Sequence, residues 1–255
     1  MKIFGSMAIA FSMYSKIPMP RTDWTKERME YAMCFFPLVG AVIGILYLIM
    51  WRAAAGAGLS AMATACFGTV LPILVTGGIH MDGFADTVDA LSSYQPMEKK
   101  LEILKDPHAG AFAVIGCVTY MILTAGLFSE INERGILLLA GVPVMSRAFS
   151  GLSVVRFPKA KKSGLAAMFA DGARTGAVTA AMAAYLVLAV IWFFAAGGPA
   201  AAVILAAAGA LGFIHYYWLG KKQFGGITGD IAGYFLQLEE LILLFVIVVI
   251  TKAGI

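Results

Sequence analysis

The chain has 255 residues, 60% of them apolar and 13% charged, with 19 Lys and Arg against 15 Asp and Glu. A soluble domain carries roughly 25% charged residues, so a soluble enzyme, a disordered chain and a secreted disulfide scaffold are all excluded. The mean hydropathy of +0.85 marks an integral membrane protein, and a net charge of +4 scattered over loops offers no nucleic-acid surface.

The first element is short. Ile3, Phe4, Met7, Ala8, Phe11 and Tyr14 share one helical face, and Pro18 and Pro20 end the stretch. Ala8-Ile9-Ala10 resembles a signal cleavage site, but Ser6 and Ser12 interrupt the apolar run. Residues 1–20 therefore read as a retained interfacial or re-entrant helix. Seven apolar runs of spanning length follow, at about 33–52, 59–78, 110–128, 135–154, 176–195, 200–219 and 231–250. The expected fold class is all-α, a polytopic helix bundle forming one membrane domain over 1–255, with cytoplasmic active-site loops at 79–108 and 154–175. Cys34, Cys66 and Cys117 lie in or beside apolar segments and read as buried thiols.

Numbering the two sides alternately sorts the basic residues. Fifteen fall on the N-terminal side, and only Arg52, Arg134 and Lys252 fall on the other, with Arg147 inside the fourth span. The positive-inside bias puts the N-terminus in the cytoplasm and the C-terminus outside. His80, Asp82, Asp86, Asp89, Asp106, His108 and Asp230 share the cytoplasmic side, so a site built from this chain faces cytoplasmic substrates.

The second span ends in Gly77-Gly78, which bends or breaks a helix, and Asp82, Asp86 and Asp89 follow at i, i+4 and i+7. On a helix they fall within an arc of roughly 60°. Three carboxylates beside a membrane repel one another unless a cation sits among them, and hard oxygen ligands suit Mg²⁺ or Mn²⁺. Mg²⁺ held by carboxylates and substrate phosphates is a phosphoryl-transfer arrangement. Either His80 or His108 could act as a general base, although a helix sets His80 roughly opposite the aspartates. A buried Arg147 needs a partner, and helix depth makes Glu239 and Glu240 the two choices. The loop carrying Arg156, Lys161 and Lys162 could cover phosphates. The turn Gly225-Gly226-Ile227-Thr228-Gly229-Asp230 could cradle a phosphate on its N–H groups, with Asp230 as a metal ligand.

Gly77-Gly78-Ile79-His80-Met81-Asp82-Gly83-Phe84-Ala85-Asp86-Thr87-Val88-Asp89-Ala90 resembles the signature of the cobalamin synthase family, the adenosylcobinamide-GDP ribazoletransferases. Ser15-Lys16-Ile17-Pro18-Met19-Pro20 is similar to its N-terminal motif, with Lys16 where Arg is common. Lys105-Asp106-Pro107-His108-Ala109-Gly110-Ala111-Phe112 is similar to a second cytoplasmic motif, with His108 where a basic residue is usual and Ala113 where Gly is usual. Ser146-Arg147 and Gly225–Asp230 complete the order, over about 15–240. The resemblance implies a Mg²⁺-dependent enzyme of the bacterial or archaeal cytoplasmic membrane. Such an enzyme joins adenosylcobinamide-GDP to α-ribazole or its 5′-phosphate, and releases GMP with adenosylcobalamin or its 5′-phosphate. It further implies Asp82 and Asp86 on the metal, with Asp89 as a third ligand or as the base for the ribose hydroxyl. Arg147, Lys161 or Lys162 would add positive charge, and Lys16, Asp106 and His108 would contact substrate.

Two other readings compete. CDP-alcohol phosphotransferases start Asp-Gly-x-x-Ala and follow it with Arg, but this chain shares only the Asp-Gly and breaks the pattern at Asp86. A transporter would use Asp86, Glu239 and Arg147 as intramembrane sites, yet the outer loops offer almost no polar access. Gly-rich spans allow a homo-oligomer.

Overall fold

The structure is a computed structural model that describes residues 2–160 and 164–255. The chain folds as α1 (Lys2–Tyr14), α2 (Lys26–Ala32), a 3₁₀ turn (Met33–Phe35), α3 (Phe36–Gly56), α4 (Ala61–Thr76) and α5 (Ile79–Ser92). It continues as α6 (Met97–Ile103), α7 (Ala111–Ser129), α8 (Glu133–Arg156), α9 (Leu165–Gly172), α10 (Thr175–Phe224) and α11 (Gly229–Lys252). The described residues contain no strand beyond a single bridge between Lys159 and Ile227.

Among the described residues, five helices are long and apolar enough to cross a membrane, and α4 with α5 makes a sixth candidate bent by 98°. The 50-residue α10 breaks at Gly198 (φ 77°, ψ −178°), just before Pro199. Fifty residues would span about 75 Å, more than twice a hydrocarbon core. Its first half runs antiparallel to α8: Gly197 meets Leu138, Trp192 meets Leu137, and Met182 meets Gly151. Its second half runs parallel to α8: Gly209 meets Met145, Phe213 stacks on Phe149, and Tyr216 meets Ser153. The break is thus a hairpin tip, and α10 supplies two spans. With the bent pair counted once, seven passes result; the second continues past the expected 59–78 into α5, where a loop was expected.

The long α8 is the central helix, buried along most of its length. Gly40 and Gly44 share one face of α3 and sit directly on the α8 backbone at Pro143 and Ala140. Small residues four apart allow that approach. α1 buries Ala8, Ile9, Ala10 and Phe11 while leaving Ile3 and Phe4 exposed. At one end of the bundle, Arg52 pairs with Glu133 and Lys252 pairs with Glu130. The opposite end gathers the Gly77-Gly78 break, the start of α11 and the end of α8.

Candidate active site

The site begins with the break after α4. Gly77 (φ 67°) and Gly78 (φ 81°) both take the left-handed conformation, which costs a glycine little. The backbone N–H of Lys16 donates to the Val75 carbonyl at 2.7 Å, and the Lys16 side chain lies across Gly77. A positive chain is thereby laid over the turn that launches the aspartate helix.

α5 then packs between α11 and α7. It crosses α11 so closely that a Cβ on Gly83 would stand 2.7 Å from the Asp230 carbonyl oxygen and 2.8 Å from its Cα. A Cβ on Gly233 would stand 2.9 Å from the His80 carbonyl oxygen. These glycines bring the α5 backbone onto the first turn of α11. Asp82 is exposed, while Asp86 and Asp230 are half-buried. Asp82 and Asp230 line one cavity of about 160 Å³ together with Tyr14, His80 and Ser150.

Asp89 departs from the expected three-aspartate ligand set. Its Oδ2 accepts the Gly110 N–H at 3.1 Å, and its Oδ1 accepts the Ala113 N–H at 3.3 Å. It thus caps the N-terminus of α7 from a neighbouring helix, where N–H groups lack partners and negative charge is favoured. Among the described residues, no three His, Cys, Asp or Glu side chains converge as an all-protein metal cage would require. Two facing carboxylate elements with room between them instead suit a cation completed by substrate oxygens.

His80 is buried, its ring stacked 6.2 Å from that of Tyr14 and edge-on to Phe36, with no hydrogen-bond partner for Nε2. Arg147, 1% exposed, chooses Glu240 of the two expected partners, at 2.6 Å, and also donates to the Pro143 carbonyl at 3.1 Å. Ser146 donates to the same Glu240 oxygen at 2.8 Å. The guanidinium lies over the Phe36 ring, behind the cavity wall.

The Gly-rich turn and the basic loop hold each other. The Ile227 N–H donates to the Pro158 carbonyl at 2.8 Å, and the Ala160 N–H donates to the Ile227 carbonyl at 3.0 Å. Gly226 sits flat against Lys159, where no side chain fits. Gly225 (φ 74°) ends α10, and Thr228 caps α11 by accepting the Ile231 N–H at 3.3 Å. The buried Lys100 donates to Gln223, fixing α6 beside this turn. Arg156 is exposed and donates to Thr179 at 3.0 Å, while Lys159 pairs with Asp171. Lys161 and Lys162 lie outside the described residues. Asp106 accepts the His108 backbone N–H at 3.0 Å and meets its ring at 2.7 Å. These bonds hold its carboxyl below the usual range, and both side chains stay exposed in the loop leading to α7.

The fold thus brings His80, Asp82, Gly229 and Asp230 to one cavity, with Lys16 on the turn before α5 and Asp86 one turn along it from Asp82. Arg147 and Asp89 serve it from behind, and Asp106 with His108 stands on an adjoining loop. Tyr14 and Ser150 were not expected. Tyr14 precedes the Ser15-Lys16 motif, and Ser150 lies one turn after Ser146-Arg147; those placements were their only signals.

A family model for cobalamin-5-phosphate synthase matches residues 6–248. An adenosylcobinamide-GDP ribazoletransferase from Lachnoclostridium phytofermentans is 46% identical, covering 94% of this chain and 92% of its own length. One of the same name from Clostridium perfringens is 34% identical, covering 94% and 96%. A third, from Fusobacterium nucleatum, is 30% identical, covering 95% and 96%. No solved structure matches the chain. From α1 to the end of α11, the chain belongs to the cobalamin-5-phosphate synthase family.

Proposed function

We propose that this chain joins adenosylcobinamide-GDP to α-ribazole or its 5′-phosphate. The ribose hydroxyl oxygen forms a bond to the phosphorus that carries the corrinoid arm. The phosphoanhydride bond to the GMP phosphate breaks, the hydroxyl proton is released, and GMP leaves. The contact of Gly83 on Asp230 carries this reading, because it sets two carboxylate-bearing elements face to face beside a glycine turn and a basic loop.

Asp82 and Asp230, which line one cavity, would hold Mg²⁺ with the diphosphate oxygens of the substrate, and Asp86 would add its charge from one turn along α5. Mg²⁺ so bound neutralises charge on the departing phosphate. Lys16, Arg156, Lys161 and Lys162 add positive charge for the same anion, and the Gly225–Thr228 turn orients it. Asp89 acts as a positioning residue, since its oxygens anchor α7 against α5. Arg147, paired with Glu240, stiffens α8 and α11 behind the cavity. His80, which lines the cavity with one ring nitrogen unbonded, is the candidate to accept the hydroxyl proton.

The chain is a multi-pass membrane protein. We place it in the bacterial cytoplasmic membrane, with its N-terminus and active site in the cytoplasm and its C-terminus outside. The charge asymmetry supports that orientation, and so does the gathering of Asp82, Asp230, Arg156 and the Gly225–Thr228 turn at one end of the bundle.

The test is GMP release from adenosylcobinamide-GDP and α-ribazole by detergent-solubilised protein, with and without chelator. Product should vanish with chelator and fall at least about 100-fold in Asp82→Ala and in Asp86→Ala, with the protein still folded. Wild-type turnover in either variant would overturn the metal assignment.

A further inference from the structure

Pro72 and Pro143 stand inside helices, in α4 and α8. A proline has no N–H, so the carbonyl four residues earlier loses its helical donor. For Pro143 that carbonyl belongs to Leu139. Both prolines and Leu139 line a small enclosed cavity of about 20 Å³ in the middle of the bundle. Its polar lining comes from three further helices: Tyr47 on α3, Tyr120 and Thr124 on α7, and Glu240 on α11. Thr124 shows that something polar is wanted there. Thr64, Thr69, Thr76, Thr179 and Thr251 each donate to the carbonyl four residues earlier, a common outlet for a hydroxyl on a helix. Thr124 is buried and makes no such bond. It lies near the Tyr120 hydroxyl, but no hydrogen bond is completed between them. Arg147 and Ser146 both donate to Oε1 of Glu240, which leaves the lone pairs of Oε2.

We propose that this cavity binds one water molecule between Thr124 and Glu240, hydrating the buried Arg147–Glu240 pair. The water accepts the Thr124 O–H and donates to the Glu240 carboxylate and to the Leu139 carbonyl. Three bonds are the usual number for a buried water, and one molecule needs at least about 10–15 Å³, so a cavity of about 20 Å³ takes one and no second. Cavities that stay dry are apolar, and this one has a carboxylate and three hydroxyls in its wall. A metal cation does not fit the charge. Arg147 already neutralises Glu240 from 2.6 Å, and a second positive charge there would be buried without a partner. The site is independent of the transferase reading, but it lies behind the helix that carries the aspartates. Tyr120 packs its ring on Phe84, with centroids 5.3 Å apart, and Phe84 follows Gly83 at the helix crossing.

The experiment is a high-resolution structure of the full chain in detergent, joined to melting temperatures of Thr124 variants. A density peak should lie within about 3.2 Å of both Thr124 and Glu240. Thr124→Val keeps the shape and removes the hydroxyl, so the water loses a partner and the melting temperature should fall by about 2–4 °C. In a dry cavity the same change would only remove an orphaned hydroxyl, and the protein would melt at the wild-type temperature or above it. Thr124→Ile adds a methyl group that fills the space, and its structure should lack the peak. Wild-type protein should melt at one temperature in sodium, potassium and choline chloride. The inference is overturned by a map that resolves other buried waters but shows no peak here. A Thr124→Val protein as stable as wild type, a peak that survives Thr124→Ile, or a melting temperature raised by one alkali cation alone would overturn it equally.

Discussion

One methyl group added at Gly83 separates a site assembled by the crossing of α5 over α11 from one that merely contains the same aspartates. The new Cβ of Gly83→Ala would stand 2.7 Å from the Asp230 carbonyl oxygen and 2.8 Å from its Cα, where ordinary contact begins at 3.4 Å. Both neighbours are backbone and cannot rotate aside. The helices must part by about 0.7 Å, and α5 is held on its other side by α7 through the Asp89 cap. Overpacking of this kind costs about 1–3 kcal/mol, so the bundle stays folded with a modestly lower melting temperature. The shift nevertheless moves Asp82 and Asp86 relative to Asp230, and displacements near 1 Å cost on the order of 100-fold in rate. GMP release should therefore drop about 30- to 100-fold in kcat with little change in KM. Gly126→Ala is the control, because Gly126 lies in α7 away from the site and has nothing within 4 Å of a new Cβ; its turnover should match wild type. Equal losses in the two variants, or wild-type turnover in Gly83→Ala, would refute the crossing as the source of the geometry.

Other perturbations divide structural roles from chemical ones. Asp89→Asn keeps one of the two oxygens that accept the Gly110 and Ala113 N–H groups and should retain part of the activity. Asp89→Ala should lose about 1 kcal/mol of stability, read as a lower melting temperature; an inactive but stable Asp89→Asn would return Asp89 to the chemistry. Arg147→Met leaves Glu240 buried and uncompensated and should destabilise by about 3–5 kcal/mol, whereas Arg147→Met with Glu240→Met should recover much of it. Equal melting of the single and double variants in detergent would show that the pair is not coupled. Lys16→Met keeps the aliphatic stem over Gly77 and removes only the charge. It should raise KM for adenosylcobinamide-GDP about fivefold with kcat nearly constant, and an unchanged KM would place the ammonium outside the anion's reach.

The spans were legible because a bilayer demands long apolar runs whatever the chain does. The expected 33–52 and 231–250 lie within Met33–Gly56 and Gly229–Lys252, and Gly198-Pro199 falls between the two runs that share α10. The aspartate helix was legible for a local reason, since Gly77-Gly78 marks a break and the i, i+4, i+7 spacing marks a face. What spacing cannot carry is the identity of the neighbour. Asp82, Asp86 and Asp89 look equivalent along α5, yet Asp89 is claimed by an N-terminus 21 residues away. Glu239 and Glu240 are adjacent in sequence and about 100° apart around the helix, so a small rotation of α11 decides which one meets Arg147. Tyr14 and Ser150 reach the cavity from helices whose packing no local pattern encodes.

Why the polar groups collect at one end of the bundle follows from backbone chemistry. Within hydrocarbon every N–H and C=O must be paired inside the chain, so turns are confined to the ends of the spans or to segments covered by protein. Glycines in the left-handed conformation supply those turns at Gly77, Gly78 and Gly225. The next helix then starts against an existing one: α5 against α11 at Gly83, and α11 against the 158–160 strand-like loop at Ile227. Each start leaves N–H groups facing the same small space, which favours anions. Each start also carries an aspartate in its first turn, Asp82 on α5 and Asp230 on α11. The same pairing of positive helix ends with carboxylates suits a substrate that brings both a cation and a diphosphate. A nonspecific acidic surface would not need the two glycine-mediated contacts that hold α5 on α11, and it is those contacts that the Gly83→Ala measurement removes.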